Sequence, residues 1–181
     1  MKTTILFTLC FMLVAGVAYS QNTVTVGGEA MYSKKDIVDN AVNSKDHTTL
    51  VAAVKAAGLV ETLKGDGPFT VFAPVNDAFE NLPEKAVADL LKPENKEKLQ
   101  AVLTYHVVAG NMTYKDLAKA IKKGKGKAEL TTVNGGKLTA MMNGEHNIVL
   151  KDANGNVSTI STYDVNQSNG VIHVITSVLI P

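Results

Sequence analysis

Arginine is missing from this chain of 181 residues, and all 18 basic side chains are lysine. Without the planar guanidinium that grips guanine and phosphate with two hydrogen bonds, nucleic-acid recognition loses its commonest reader. An Arg-Gly-Asp adhesion tripeptide is excluded as well. Cysteine is nearly missing: Cys10 lies in an apolar run, after Phe7, Thr8 and Leu9 rather than the small residues of a lipoprotein cleavage site. That run, Ile5 to Ala18, is about 14 residues against the roughly 20 that span a bilayer. With Lys2 before it and the small residues Ala18 and Ser20 before Gln21, residues 1–20 have the pattern of a cleaved signal peptide. Cleavage would remove the cysteine, which excludes disulfides, thiol nucleophiles and thiolate metal ligands from the mature chain. It would also remove Lys2, leaving 17 lysines to 17 acidic residues. A neutral chain is a poor partner for a phosphate backbone, so no nucleic acid is expected. No carboxy-terminal apolar tail is present, so no integral membrane anchor is expected either.

Catalytic and cofactor signatures are equally scarce. The sequence has no G-x-S-x-G elbow, no Walker loop and no G-x-G-x-x-G after a strand. His47, His106, His146 and His173 show no His-x-His or His-x-x-x-His spacing and no carboxylate pair beside them, so neither a metal site nor a cofactor is expected. No residue is assigned a catalytic role.

What is present reads as one domain. Residues 21–33 are polar and glycine-bearing, a flexible lead, and residues 34–181 contain no repeat or linker. Leu50, Val54 and Ala57 form a helical stripe after Asp46, an expected N-cap, with Gly58 as the stop. Phe69 to Val75 suits a buried strand. Asp77 and Glu80 form a capping-box pattern, and Pro83 opens a helix carrying Val87, Leu90 and Leu91. Leu99, Val102 and Leu103 make another stripe, and Thr113 with Asp116 caps a helix whose face is Tyr114, Leu117, Ala118 and Ile121. After Gly124 come short strands parted by Asn134-Gly135, Asn143-Gly144 and Asn154-Gly155, the signature of an antiparallel meander. The apolar run Val171 to Ile180 reads as a strand covered on both faces. Helices first and strands afterwards predict an α+β domain.

Two groups of side chains invite a functional reading. Lys119, Lys122, Lys123, Lys125 and Lys127 form the one basic cluster, a patch for anionic polysaccharide or lipid head groups, or simply lysines that complement a helix dipole and a solvated loop. His106 and His173 sit among apolar neighbours, where a hydrogen-bonded core role is the simpler reading, with a backbone carbonyl or the other histidine as partner.

At these residues the chain resembles the fasciclin domain family. Phe69-Thr-Val-Phe-Ala-Pro-Val-Asn-Asp-Ala-Phe79 is similar to the family's first signature, Tyr105-His106 to its Tyr-His pair, and Asn169-Gly-Val-Ile-His-Val-Ile-Thr-Ser-Val-Leu-Ile-Pro181 to its last. The resemblance implies a wedge of antiparallel-rich β-sheets with helices packed on it, and adhesion, matrix contact or cell-surface association rather than catalysis. It also implies partner binding through Leu103, Tyr105, His106, Val107 and Val108. Val75 stands where the first signature usually has threonine and Thr176 where the last usually has aspartate. Asn76 and Asp77 are retained, and one of them is expected to cap a helix and share a network with His106, with His173 in the same structural set.

Three functions follow for comparison. The first is an exported adhesion or surface-interaction module, periplasmic, cell-surface associated or secreted, that binds a protein or glycan. The second is a carrier holding a small apolar or tetrapyrrole ligand between helices and wedge, with His106 or Met141-Met142 nearby. The third is an exported enzyme using His106, which requires that histidine to face a pocket.

Overall fold

The computed structural model describes residues 23–181, so the signal-peptide reading of residues 1–20 lies outside the described residues. The chain opens with a hairpin, β1 (Thr23–Val26) paired antiparallel to β2 (Glu29–Tyr32). This corrects the flexible lead. Thr-Val-Thr-Val alternates as a half-buried strand should, and Val26 and Met31 are buried in the same apolar cluster as Ile37, Leu50 and Val54. Asn40 clamps the hairpin by accepting from the Tyr32 N–H at 2.9 Å and donating to its carbonyl at 2.8 Å.

A helical block follows: α1 (Ile37–Ala41), a 3₁₀ turn over Lys45–His47, α2 (Thr48–Ala57) and α3 (Val60–Lys64). The expected N-cap at Asp46 is not used, because that turn carries Asp46 one residue too early and His47 occupies the cap position. The chain then runs through β3 (Phe69–Pro74), α4 (Asn76–Glu80), α5 (Glu84–Leu90), α6 (Lys96–Tyr105), β4 (Val107–Ala109) and α7 (Tyr114–Lys123). α6 buries Leu99 and Leu103 on its stripe. α7 carries the expected box, with Thr113 and Asp116 capping each other's backbone N–H, and it buries Leu117 and Ile121.

The second half is the meander β5 (Lys127–Thr131), β6 (Lys137–Asn143), β7 (Asn147–Lys151), β8 (Val157–Gln167) and β9 (Gly170–Ile175). Gly135, Gly144 and Gly155 sit at φ of 86°, 77° and 91°, the positive values that tight hairpin turns demand. The apolar run at the carboxy terminus is a strand only to Ile175: Thr176 and Ser177 bend away, and Val178 and Leu179 reach the core as irregular chain.

Seven strands form one sheet in the order β4-β3-β9-β8-β7-β6-β5, in which β3 and β9 alone run parallel. β8 is long enough to pair with β7 through its first half and with β9 through its second. The outer strands curl back towards each other, joined by the Val108–Thr132 bridge and by Val133 N–H donating to the Val107 carbonyl at 2.7 Å. Both faces of β3 and β9 are therefore covered. Val71, Ala73, Ile172 and Val174 face the helical block and hairpin, while Phe72 and Ile175 face α7 and the meander. Continuous apolar runs are what such doubly covered strands require.

Candidate functional site

The five residues expected to meet a partner are all core residues. Leu103, Tyr105, His106, Val107 and Val108 are between 1% and 6% exposed, so none presents a side chain to an approaching surface. Their position follows from local geometry. α6 ends at Tyr105, His106 is its C-cap, and β4 begins at once as the edge strand against β3. The Tyr105 ring passes to the meander, where its hydroxyl donates to the Lys137 carbonyl at 2.7 Å and accepts from the Ala153 N–H at 3.0 Å. Gly136 is what lets the ring through: a Cβ there would stand 2.7 Å from Tyr105 Cε2.

His106 is equally committed. Its Nδ1–H donates to the Val102 carbonyl at 2.8 Å, and its Nε2 accepts from the Leu179 N–H at 3.0 Å. An amide N–H can only donate, so this pair of bonds fixes the neutral Nδ1–H tautomer. Burial pushes its pKa down to about 4, against smaller opposing effects of the Val102 carbonyl and Asp152. His173 is the mirror case, donating to the Met112 carbonyl at 2.8 Å and accepting from the Asp164 N–H at 3.3 Å, so the carbonyl partner is the correct one and His106 is not bonded to it. Its ring stacks on Phe72 at 5.8 Å, and burial lowers its pKa too. His106 lines the cavity between α1–α3 and the β3–α6 wall, but both nitrogens of each ring are already bonded to backbone, so neither histidine has a free lone pair or proton to offer a substrate.

The expected network around Asn76 and Asp77 does not reach His106. Asn76 Oδ1 accepts from the Thr49 N–H at 3.0 Å and the Thr48 hydroxyl at 3.2 Å, while its amide donates to the Lys45 carbonyl at 2.8 Å. It caps α2 from across the chain. Asp77 is exposed in the first turn of α4, where its charge suits the helix dipole. The capping box with Glu80 does not form, since Val75 holds the cap position and has no oxygen to offer. The Thr176 hydroxyl accepts from the Thr159 N–H at 3.2 Å.

Asp152 was not singled out from the sequence. It is 5% exposed. Its carboxylate accepts from the backbone of Asn154 and Asn156, from the Asn156 amide, and from the Ile180 N–H at 3.0 Å, which ties the tail to the β7–β8 turn. An aspartate two residues before Asn-Gly is the signal that could have found it.

The exposed chemistry lies elsewhere. Lys119, Lys122 and Lys123 project from α7, Lys125 turns the chain at φ 56°, and Lys127 opens β5; all five are exposed and none is in an ion pair among the described residues. Between α1–α3 and the β3–α6 wall lies a cavity of about 80 Å³, with Val54, Leu63, Val107 and Lys55 in its lining. An apolar cavity of about 150 Å³ admits benzene, so a tetrapyrrole does not fit this one. Met141 and Met142, in β6, do not line it. Among the described residues no three His, Asp or Glu side chains converge as a metal site, and no helix is long and apolar enough to cross a membrane.

Residues 45–181 match the Fasciclin domain family model. The chain belongs to the fasciclin family. Protein sll1483 of Synechocystis is 44% identical over 164 residues, covering 90% of this chain and 82% of that protein. Immunogenic protein MPB70 of Mycobacterium bovis is 32% identical over 154 residues, covering 82% and 70%. The transforming growth factor-beta-induced protein ig-h3 of Sus scrofa is 38% identical over 133 residues, 74% of this chain but 17% of that one. A FAS1 domain pair from the insect cell adhesion molecule fasciclin I superposes with a TM-score of 0.72, at 18% identity, over 90% of this chain and 59% of that one. The fasciclin fold is thus shared, α+β with helices packed on a wedge of sheet. The β1–β2 hairpin lies outside the matched family segment.

Proposed function

We propose that this fasciclin-domain protein is an exported, non-catalytic surface-interaction module, and that it docks through the lysine face of α7 and β5. The observation that carries the proposal is the pairing of a buried Tyr105–His106 segment with five exposed lysines that form no salt bridge among the described residues. An unpaired cationic face is complementary to an anionic partner and accelerates its encounter. A relative supports the setting: MPB83 of Mycobacterium bovis, 40% identical over 96 residues, is a cell surface glycolipoprotein. The partner that fits is a glycan or protein presenting carboxylate or sulfate groups. Immobilised protein should retain dextran sulfate and not neutral dextran. Changing Lys119, Lys122, Lys123, Lys125 and Lys127 to Gln should cut that retention at least about fivefold, given about 0.2–1 kcal/mol for each exposed charge pair. Equal retention by the variant would refute the docking face. A second reading, a carrier of a small apolar ligand, rests on the 80 Å³ cavity.

A further inference from the structure

The cavity has two kinds of boundary, and together they define a ligand. Inside, its walls are apolar, aliphatic side chains with Phe69 and Phe72, and the polar groups that reach them, apart from the solvent-exposed Thr62, are already engaged. His106 has both nitrogens bonded to backbone, and the Thr104 hydroxyl donates to the Gln100 carbonyl at 2.6 Å. A polar ligand group placed there would lose its water and find no partner. A hydrocarbon loses nothing and recovers the dispersion contacts that a dry void forfeits.

At the mouth the character changes. Val51, Leu59, Val60 and Leu63 are only half-buried and Val133 is 50% exposed, so the opening is an aliphatic rim in contact with solvent. The cation in the lining is Lys55, exposed near the end of α2 and in no ion pair among the described residues. A second ammonium, that of Lys96, approaches the same helix end at Gly58.

We infer that this cavity is a binding site for a small anionic amphiphile, a single alkyl chain ending in a carboxylate, with the chain end inside and the carboxylate paired with Lys55. The size sets how much enters. At about 30 Å³ for a water-sized group, a void of about 80 Å³ holds the last few carbons, and the rest of the chain lies along the rim towards Lys55. This inference rests on the carrier reading and is independent of the lysine face.

Titration with octanoate, octylammonium and octanol, read by calorimetry and by the methyl resonances of Val54 and Leu103, tests it. Octanoate should bind at least tenfold more tightly than octylammonium and shift both methyls. Lys55→Met should bring octanoate down to the level of octanol. Val60→Phe and Ala41→Leu, which add bulk at two half-buried lining positions, should each abolish the methyl shifts, with melting curves confirming that at least one is folded. Octanol binding with no preference for octanoate would overturn the anionic head while leaving a carrier. No methyl shift with any probe would overturn both. The glutamine variant of the α7 lysines should bind octanoate like the wild-type protein, which separates this result from the fate of the docking face.

Discussion

Val75 shows how a single residue can weaken a helix that the rest of the chain supports. It occupies the cap of α4 in extended conformation, at φ −71° and ψ 166°, with no side-chain oxygen for the first-turn N–H groups. Val75→Thr keeps the shape and adds the missing acceptor. It should raise the unfolding free energy by about 1 kcal/mol, measured by urea denaturation; an unchanged midpoint would mean that water already caps the helix. The buried histidines give a second prediction at this scale. Above an ordinary histidine pKa of 6.5, His106 is neutral in folded and unfolded chains alike, so its stabilising bonds are fully present. As pH falls below 6.5 the unfolded chain takes up the proton while the folded ring resists until about 4. Stability should therefore drop across that window by roughly 3 kcal/mol from His106, at about 1.4 kcal/mol per pH unit. His173 and His47, also lowered by burial, act in the same direction. The carboxylates of Asp39 and Asp116, held low by Lys64 and Thr113, lose their contributions only below about 4. A flat urea midpoint between pH 7 and pH 4.5 would contradict the sealed, neutral His106.

Elements were legible where their signals are local. α7 is announced by Thr113 and Asp116 three residues apart and by Leu117 and Ile121 one turn apart, and each hairpin of the meander by its Asn-Gly pair. The signals that failed are those in which a partner distant in sequence decides. Asn76 caps a helix 27 residues upstream, so Asp46 is not needed there. β3 finds its parallel neighbour β9 about 100 residues later, a pairing that the pattern of either strand leaves open. The hairpin β1–β2 was missed for a different reason. Its Thr-Val-Thr-Val alternation and Gly27-Gly28 turn were visible, but short polar-flanked strands are marginal alone and only docking against the helical block makes this one fold. Met31→Ala tests that docking. Burial at 3% exposure predicts a loss of about 2–5 kcal/mol on thermal or urea unfolding. A flexible lead would lose no more than about 0.5 kcal/mol.

For the whole molecule, the fold could be read from three separated signatures, but the site could not. A tyrosine–histidine pair between a helix and a strand looks the same in sequence whether it faces solvent or core. What decides is the sheet curling on itself, so that Lys137, Ala153 and Leu179, each remote in sequence, close over Tyr105 and His106. The exposed face proposed to meet a partner is then basic rather than aromatic. Two variants measured side by side separate these alternatives most directly. Tyr105→Phe removes a buried hydroxyl that both donates and accepts, so it should lower the melting temperature while eluting from dextran sulfate at the same salt concentration as the wild-type protein. The glutamine variant of Lys119, Lys122, Lys123, Lys125 and Lys127 should melt like the wild-type protein and elute at much lower salt. Early elution of a folded Tyr105→Phe, with unchanged elution of the lysine variant, would contradict the account and return partner contact to the Tyr-His segment.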